Sequence, residues 1–173
     1  QFFVDVDGEV IRIELDASRR EAVVAHWLSH RIADMVRFAE VDDLAVIALA
    51  GPKAGELLGG LCEESVAELA PLASCHATLA GVPCRVRRND ERLALPGWDI
   101  TVAESVVDGV FAALLEAGAV VVTEADWCAV RIANGVPIDV IDMNEENIPL
   151  ESEHLTRAIS WEKGCYIGQE VIA

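Results

Sequence analysis

Short strands joined by tight turns constrain the fold of this 173-residue chain more than any other feature of the sequence. Two such hairpins are predicted, with strands at 2–6 and 10–15 and at 74–80 and 82–88. Asp7-Gly8 and Gly81 mark their turns, because glycine adopts the positive φ that a tight primed turn requires. Neighbouring strands joined in this way run antiparallel, so the pattern disfavours a Rossmann-type parallel sheet.

The remaining segments add helices and strands around these hairpins. Helices are predicted at 18–33, 52–61, 107–117 and 125–134, with a short helix and a following loop in 62–72. A capping box of Ser18 and Glu21 would begin the first helix. The apolar stripe of that helix would consist of Val24, Leu28 and Ile32. Further strands are predicted at 35–41, 44–50, 93–102 and 119–122, the last of them buried, and an acidic loop at 139–149. The order of elements is that of an α+β fold with antiparallel sheets.

The composition excludes several classes of protein. The chain is 53% apolar but has no uninterrupted apolar run of about 20 residues, so no transmembrane span is predicted. Its five cysteines are odd in number and include no C-x-x-C spacing, which disfavours a disulfide scaffold and standard zinc or iron–sulfur ligand sets. A formal net charge of −17 disfavours non-specific binding to nucleic acid. We therefore expect a protein of a reducing compartment, the cytoplasm or, in a eukaryote, the mitochondrial matrix.

Two groups of residues admit more than one interpretation. Arg85, Arg87 and Arg88 alternate with Val86 along a predicted strand. They form either the solvated face of a half-exposed sheet or a site for an anion. His26 and His30 lie one helical turn apart, but no third ligand accompanies them, so a solvated role is favoured and no metal site is predicted.

The most unusual stretch is KGCYIGQE, at 163–170. Cys165 lies two residues after Lys163, and the glycines on either side permit backbone conformations that a Cβ would block. In one interpretation Cys165 is a small buried hydrophobe and the glycines only shape a turn. In the other, the lysine ammonium and nearby backbone N–H groups favour the thiolate, which makes Cys165 a nucleophile.

This stretch resembles the K-G-C-Y-x-G-Q-E signature of the YgfZ-type folate-binding proteins, which are relatives of the aminomethyltransferase (T-protein) of the glycine cleavage system. Residues before it recur at the spacing of that family: Trp127, Arg131-Ile132, Gly135-Val136-Pro137, Ile148-Pro149-Leu150-Glu151, Leu155 and Ile159. The resemblance is strong over 127–173 and looser over 2–122.

The resemblance implies a fold of two interleaved lobes, each with an antiparallel sheet and helices, that line a central folate cavity. The whole chain, 1–173, would be the folate-binding region, with approximate lobes at 1–72 and 73–150 and the signature in 151–173. Family members also have residues before the first strand and a C-terminal β-barrel. We therefore expect the chain to be truncated at both ends.

The resemblance also implies the residues of the site. The cofactor would be tetrahydrofolate, with Arg131 and, by rough alignment, Asp16 as its polar anchors. Cys165 would be the reactive group, assisted by Lys163. The remaining signature residues would contribute to binding: Gly164, Tyr166, Gly168, Gln169 and Glu170.

Two departures from the T-protein pattern bear on activity. The T-protein has an acidic residue that falls at or before Gln1, and Gln1 is not acidic. It also has a glutamate in a G-Y-T-G-E-x-G-x-E segment, where this chain has Leu95. A leucine supplies neither proton transfer nor an ion pair, so aminomethyl transfer is not expected.

Three functions follow in order of preference. The first is a folate-binding accessory protein that supports iron–sulfur cluster assembly or repair, with iron–sulfur client or assembly proteins as partners. The second is a folate-dependent aminomethyltransferase of one-carbon metabolism. The third is an interaction module in which the signature only packs against the β-barrel.

Overall fold

The computed structural model describes residues 2–32, 35–138, 141–144, 146–151, 159–166 and 168–172. Two compact units divide the chain, Gln1–Leu44 and Ala45–Ala173. Both combine helices with antiparallel strand pairs, as the α+β prediction requires. The lobe boundaries and the C-terminal barrel implied by the resemblance stay predictions.

The first unit begins with the predicted hairpin. Strand β1 (Phe2–Asp7) pairs antiparallel with β2 (Val10–Leu15), and Gly8 and Glu9 form the two-residue turn. Because side chains alternate between the faces of a strand, the register places only apolar residues on one face of the hairpin. These residues are Phe2, Val4, Val6, Ile11, Ile13 and Leu15.

Helix α1 (Arg20–His30) follows a 3₁₀ turn at Ala17–Arg19. The predicted capping box is wrong: Asp16 caps the 3₁₀ turn by accepting from the Ser18 backbone N–H at 2.8 Å, and the N-cap of α1 has no side-chain cap. The predicted apolar stripe is also wrong, since Ile32 lies beyond the helix and is 93% exposed. Ala33, the predicted end of the helix, lies outside the described residues.

Aromatic contacts hold α1 instead. The Trp27 ring lies edge-on to Phe2, with centroids 6.2 Å apart, and stacks on Phe38 at 5.9 Å. The prediction of a strand at 35–41 is wrong, because these residues, all of them described, have no regular secondary structure. Arg31 Nη1 also donates to the Val36 carbonyl oxygen in this segment. Residues 35–41 therefore contact α1 through side chains, and no described residue pairs with them as a neighbouring strand.

The second unit contains a four-stranded sheet in the order β3 (Leu44–Ala50), β6 (Gly97–Ala103), β5 (Val82–Arg88), β4 (Ser74–Leu79). The second predicted hairpin is confirmed, because β4 and β5 are antiparallel with Leu79 opposite Val82. Ala80 and Gly81 form its turn with φ of 49° and 80°, the left-handed pair typical of a type I′ turn.

One face of this sheet carries the core. Ile100 and Val86 are completely buried, together with Leu58 of helix α2 (Ala54–Leu61) and Val110 of helix α3 (Val107–Glu116). Trp98 joins them and donates from Nε1 to the Val66 carbonyl oxygen at 3.0 Å. The bounds of α2 and α3 lie within two residues of the predicted helices at 52–61 and 107–117.

Other predictions for the second unit are corrected. The segment 62–72 has only a 3₁₀ turn, Val66–Glu68, and β6 begins at Gly97, after a turn at 93–96. The predicted buried strand at 119–122 is an exposed connection in which Val120 is 83% exposed. It runs directly into helix α4 (Glu124–Ala133). In the capping box of this helix, Thr123 Oγ1 accepts from the Asp126 N–H and Asp126 Oδ2 accepts from the Thr123 N–H.

The acidic segment at 139–149 has no α-helix or strand in its described residues, and a 3₁₀ turn begins at its last residue (Pro149–Glu151). Asp139, Val140 and Glu145 lie outside the described residues. The last element is a short helix, α5 (Gln169–Ile172). Among the described residues, no helix combines the length and the apolar character that crossing a membrane requires.

Candidate functional site

The KGCYIGQE motif places its cysteine at the surface and its lysine on an aromatic ring. Cys165 and Lys163 are both exposed. The Lys163 ammonium nitrogen lies 4.2 Å from the centroid of the Tyr166 ring, within the range of a cation–π contact. The interpretation of Cys165 as a buried small hydrophobe is therefore wrong, and the group that Lys163 contacts is Tyr166.

The second half of the motif forms a turn into α5. Gly168 has a φ of 87°, which an L-residue with a Cβ rarely adopts. This conformation lets the Gln169 N–H donate to the Tyr166 carbonyl oxygen at 3.2 Å. Among the described residues, the buried Tyr166 hydroxyl has no hydrogen-bond partner. Tyr166 is thus half-buried, whereas the residues before it, 161–165, and Gly168 after it are exposed. Ile167 lies outside the described residues.

Arg131, one of the two predicted folate anchors, is a buried cation on α4. Its side chain is 4% exposed, and Nη1 donates to Asp142 Oδ2 at 2.6 Å and to the Val136 carbonyl oxygen at 3.2 Å. Asp142 also accepts from the Ile138 N–H at 2.8 Å. The buried Arg131 Nε has no hydrogen-bond partner within the described part of the chain. Among the described residues, one donor of this buried guanidinium therefore has no acceptor.

Asp16, the other predicted anchor, lies in the first unit and is occupied by local contacts. Its Oδ1 accepts from both the Ser18 hydroxyl and the Ser18 backbone N–H. The hydroxyl first, and then the N–H, hold the pKa of Asp16 below its ordinary value, because both stabilise the carboxylate. Asp16 thus caps a turn, and its role towards folate stays a prediction.

The arginines of β5 do not form a solvated face. Arg87 and Asp99 are directly opposite each other on β5 and β6, and both are buried. Asp99 accepts from Arg87 Nε at 3.2 Å, from Arg92 Nε and from Asn89 Nδ2. The interpretation of Arg87 as part of a solvated face is therefore wrong, and Asp99 is already its anionic partner.

The other two arginines of this strand also have partners. Arg85 donates from Nη2 to the Ser74 hydroxyl at 2.9 Å and lies 3.0 Å from His76 Nε2. Arg88 pairs with Asp90 and lies over the Trp98 ring, 5.4 Å from its centroid.

Sequence reasoning missed Asp99, although an aspartate between Trp98 and Ile100 in an apolar strand is itself a signal of a buried ion pair.

Leu95, at the position of the T-protein glutamate, lies half-buried in the turn before β6. Its neighbour Ala94 has a φ of 51°, a left-handed conformation that a residue with a Cβ adopts less readily than glycine. Leu95 contributes an apolar side chain to this turn.

The other thiols differ from Cys165 in their surroundings. Burial raises the pKa of Cys62 to about 12 and raises the pKa of Cys75 and of Cys84. A protonated thiol is a poor nucleophile, so a raised pKa lowers the reactivity of these three thiols near neutral pH. Within the described residues, no group of three or more His, Cys, Asp or Glu side chains is placed to hold a metal ion.

We expect brief iodoacetamide treatment of the native protein at pH 8 to label Cys165 before Cys62, Cys75 and Cys84. Cys62, Cys75 and Cys84 should react at least about tenfold more slowly, because little of each is thiolate. Mass spectrometry of tryptic peptides measures the order, and the Cys165→Ser protein is the control for assignment. Faster labelling of Cys62, Cys75 or Cys84 would contradict this order.

Comparison with known proteins gives the family. The GCVT N-terminal domain matches residues 13–163, so Gly164–Glu170 of the motif lie beyond the matched span. An aminomethyltransferase of Herpetosiphon aurantiacus is 27% identical over 148 residues, which cover 84% of this chain and 40% of that protein. The aminomethyltransferase of Thermosynechococcus vestitus is 27% identical over 166 residues, which cover 96% of this chain and 44% of the relative.

A third relative has a higher identity over a shorter span. The aminomethyltransferase of Thermus thermophilus is 32% identical over 106 residues, 61% of this chain and 30% of that protein. The chain thus spans less than half the length of each of these three relatives. Since the domain match covers most of the chain, this protein belongs to the GCVT N-terminal domain family.

Proposed function

We propose that this chain is the folate-binding region of a YgfZ-type accessory protein that supports iron–sulfur cluster assembly or repair. The observation that carries the proposal is an exposed Cys165 within KGCYIGQE, combined with Leu95 where the T-protein has a glutamate. The first supplies a reactive thiol, and the second removes a carboxylate of the transfer reaction. Its site of action would be the cytoplasm, or the mitochondrial matrix in a eukaryote.

One described residue supports tetrahydrofolate as the ligand. Arg131 offers a buried N–H without a hydrogen-bond partner among the described residues, and a buried unsatisfied donor costs free energy until an acceptor reaches it. A carbonyl or carboxylate oxygen of a folate would supply that acceptor. When bound, tetrahydrofolate supplies an amine that accepts one-carbon units.

The alternative function is aminomethyl transfer. It is favoured by the relatives, which bear the name aminomethyltransferase. Leu95 opposes it, because the leucine side chain has no group to take up or donate a proton. Assay of the full-length protein with an aminomethylated carrier distinguishes the two functions, and turnover comparable to that of a T-protein would establish the alternative.

Calorimetric titration of the full-length protein with tetrahydrofolate tests the binding step. We expect binding by the natural protein and at least about tenfold weaker binding by Arg131→Gln, since a hydrogen bond from a charged donor is lost. Arg37→Gln, which changes an exposed arginine, is the matched control and should bind as the natural protein does. Circular dichroism confirms that each variant is folded. Absence of binding at millimolar tetrahydrofolate would contradict the proposal.

A further inference from the structure

The lysine of the motif is engaged by the ring of the only tyrosine in the chain. Lys163 is one of two lysines, with Lys53, and Tyr166 has no counterpart elsewhere in the sequence. The Lys163 ammonium lies 4.2 Å from the centre of the Tyr166 ring, and its backbone N–H donates to the Ser160 hydroxyl at 3.3 Å. Cys165 lies between the two residues of this pair and is exposed.

We propose that Lys163 is a positioning residue that acts through Tyr166, and that their contact closes the four-residue loop 163–166 so that it presents Cys165 to solvent. In this arrangement the lysine organises the backbone of the loop. The alternative is that its charge activates the Cys165 thiol directly.

Tyr166 is the fixed end of this contact. Its side chain is half-buried, its hydroxyl is buried, and its carbonyl oxygen accepts the Gln169 N–H that begins α5. Lys163 is the exposed end, whose long side chain would otherwise sample many rotamers. The ring thus gives the lysine side chain a defined place.

Gly164 explains why the loop needs such a contact. It has no Cβ, and among the described residues a Cβ built at this position would meet no heavy atom within 4 Å beyond its chain neighbours, so no described side chain packs against the loop there. A glycine has more backbone freedom to lose than any other residue. A contact between residues 163 and 166 closes the loop across this flexible position.

Charge screening favours the same assignment. An exposed ammonium that acts on an exposed thiolate is weakened by solvent and by salt. A contact with an aromatic face depends on the ring quadrupole at short range and uses the apolar stem of the lysine as well. The structure contains the contact between Lys163 and the aromatic face of Tyr166.

The inference rests on the proposed function only in taking Cys165 as the reactive group. Its test requires neither folate nor an iron–sulfur client, so failure of the proposed function and failure of this inference are separate results. The protein is labelled with 3-fluorotyrosine, and the resonance of Tyr166 is assigned as the one that is lost in Tyr166→Phe. Hydrogen–deuterium exchange of the peptide containing 161–170 is measured in parallel.

We expect Lys163→Met to shift the fluorine resonance and to speed amide exchange at 164–166 by about two- to fivefold. This factor corresponds to the loss of one exposed cation–π contact. Lys163→Arg should restore both, because a guanidinium also stacks on a tyrosine ring. Lys53→Met, the change of the only other lysine, should alter neither.

A double-mutant cycle on Cys165 alkylation decides between positioning and activation. If Lys163 acts through the ring, Lys163→Met and Tyr166→Leu change the rate of Cys165 alkylation by the same factor. The double variant then has the same rate as either single variant, and Tyr166→Phe has the rate of the natural protein. A slower reaction in Lys163→Met combined with an unchanged or faster one in Tyr166→Leu would overturn the proposal. An unchanged fluorine resonance in Lys163→Met would overturn it independently.

Discussion

Replacing Asp99 by asparagine is expected to lower the free energy of unfolding by about 3–5 kcal/mol, because a buried ion pair loses one partner. Asp99 is 1% exposed and accepts from Arg87, Arg92 and Asn89. Asparagine keeps the volume but replaces a carboxylate oxygen by an amide that donates. The buried Arg87 guanidinium then loses the counter-charge that Asp99 supplies.

Thermal and urea unfolding followed by circular dichroism measure the effect, with an expected fall in Tm on the order of 10 °C. Asp42→Asn is the matched control, because it removes the exposed Arg20–Asp42 pair and should cost less than about 1 kcal/mol. The double variant Asp99→Asn with Arg87→Met should be less destabilised than the sum of its parts, since the buried Arg87 charge is removed together with that of Asp99. Equal stability of Asp99→Asn and the natural protein would contradict the importance of this pair.

Replacing Cys165 by serine is expected to abolish support of iron–sulfur enzymes in cells while leaving the fold intact. The side chain is exposed, so the exchange of sulfur for oxygen should change the free energy of unfolding by less than about 0.5 kcal/mol. A serine hydroxyl is not ionised near neutral pH and does not replace a thiolate nucleophile. Activity of an iron–sulfur enzyme in a complemented deletion strain is the measurement.

Cys128→Ser is the control for this experiment, because Cys128 is a half-buried thiol on α4 outside the motif. It should support iron–sulfur enzymes as the natural protein does. Retained folate binding by Cys165→Ser would place the defect after ligand binding. Full support of the enzymes by Cys165→Ser would show that the thiol has no role in the function.

The sequence by itself determined the elements whose signals are local. The hairpin turns at Gly8 and Gly81 were predictable because they need residues that adopt positive φ. Helix α2 was predictable because proline is tolerated in the first turn of a helix, and α3 because its sequence is amphipathic. The KGCYIGQE motif was likewise visible as a string of residues. The burial of Cys165 was left open by the sequence, and the structure places this thiol at the surface.

Only the tertiary structure decided which segments find partners. The segments 35–41 and 119–122 have the composition of strands, yet no neighbouring strand pairs with them among the described residues. A strand without a partner leaves its backbone N–H and C=O groups without strand hydrogen bonds, so they must be satisfied by solvent or side chains. The pairing of Arg87 with Asp99 depends on the register between β5 and β6, which residue types alone do not give. The lysine of the motif was assigned to Cys165 by sequence proximity, but the ring three residues further on holds it, because side-chain direction and not chain order decides contact.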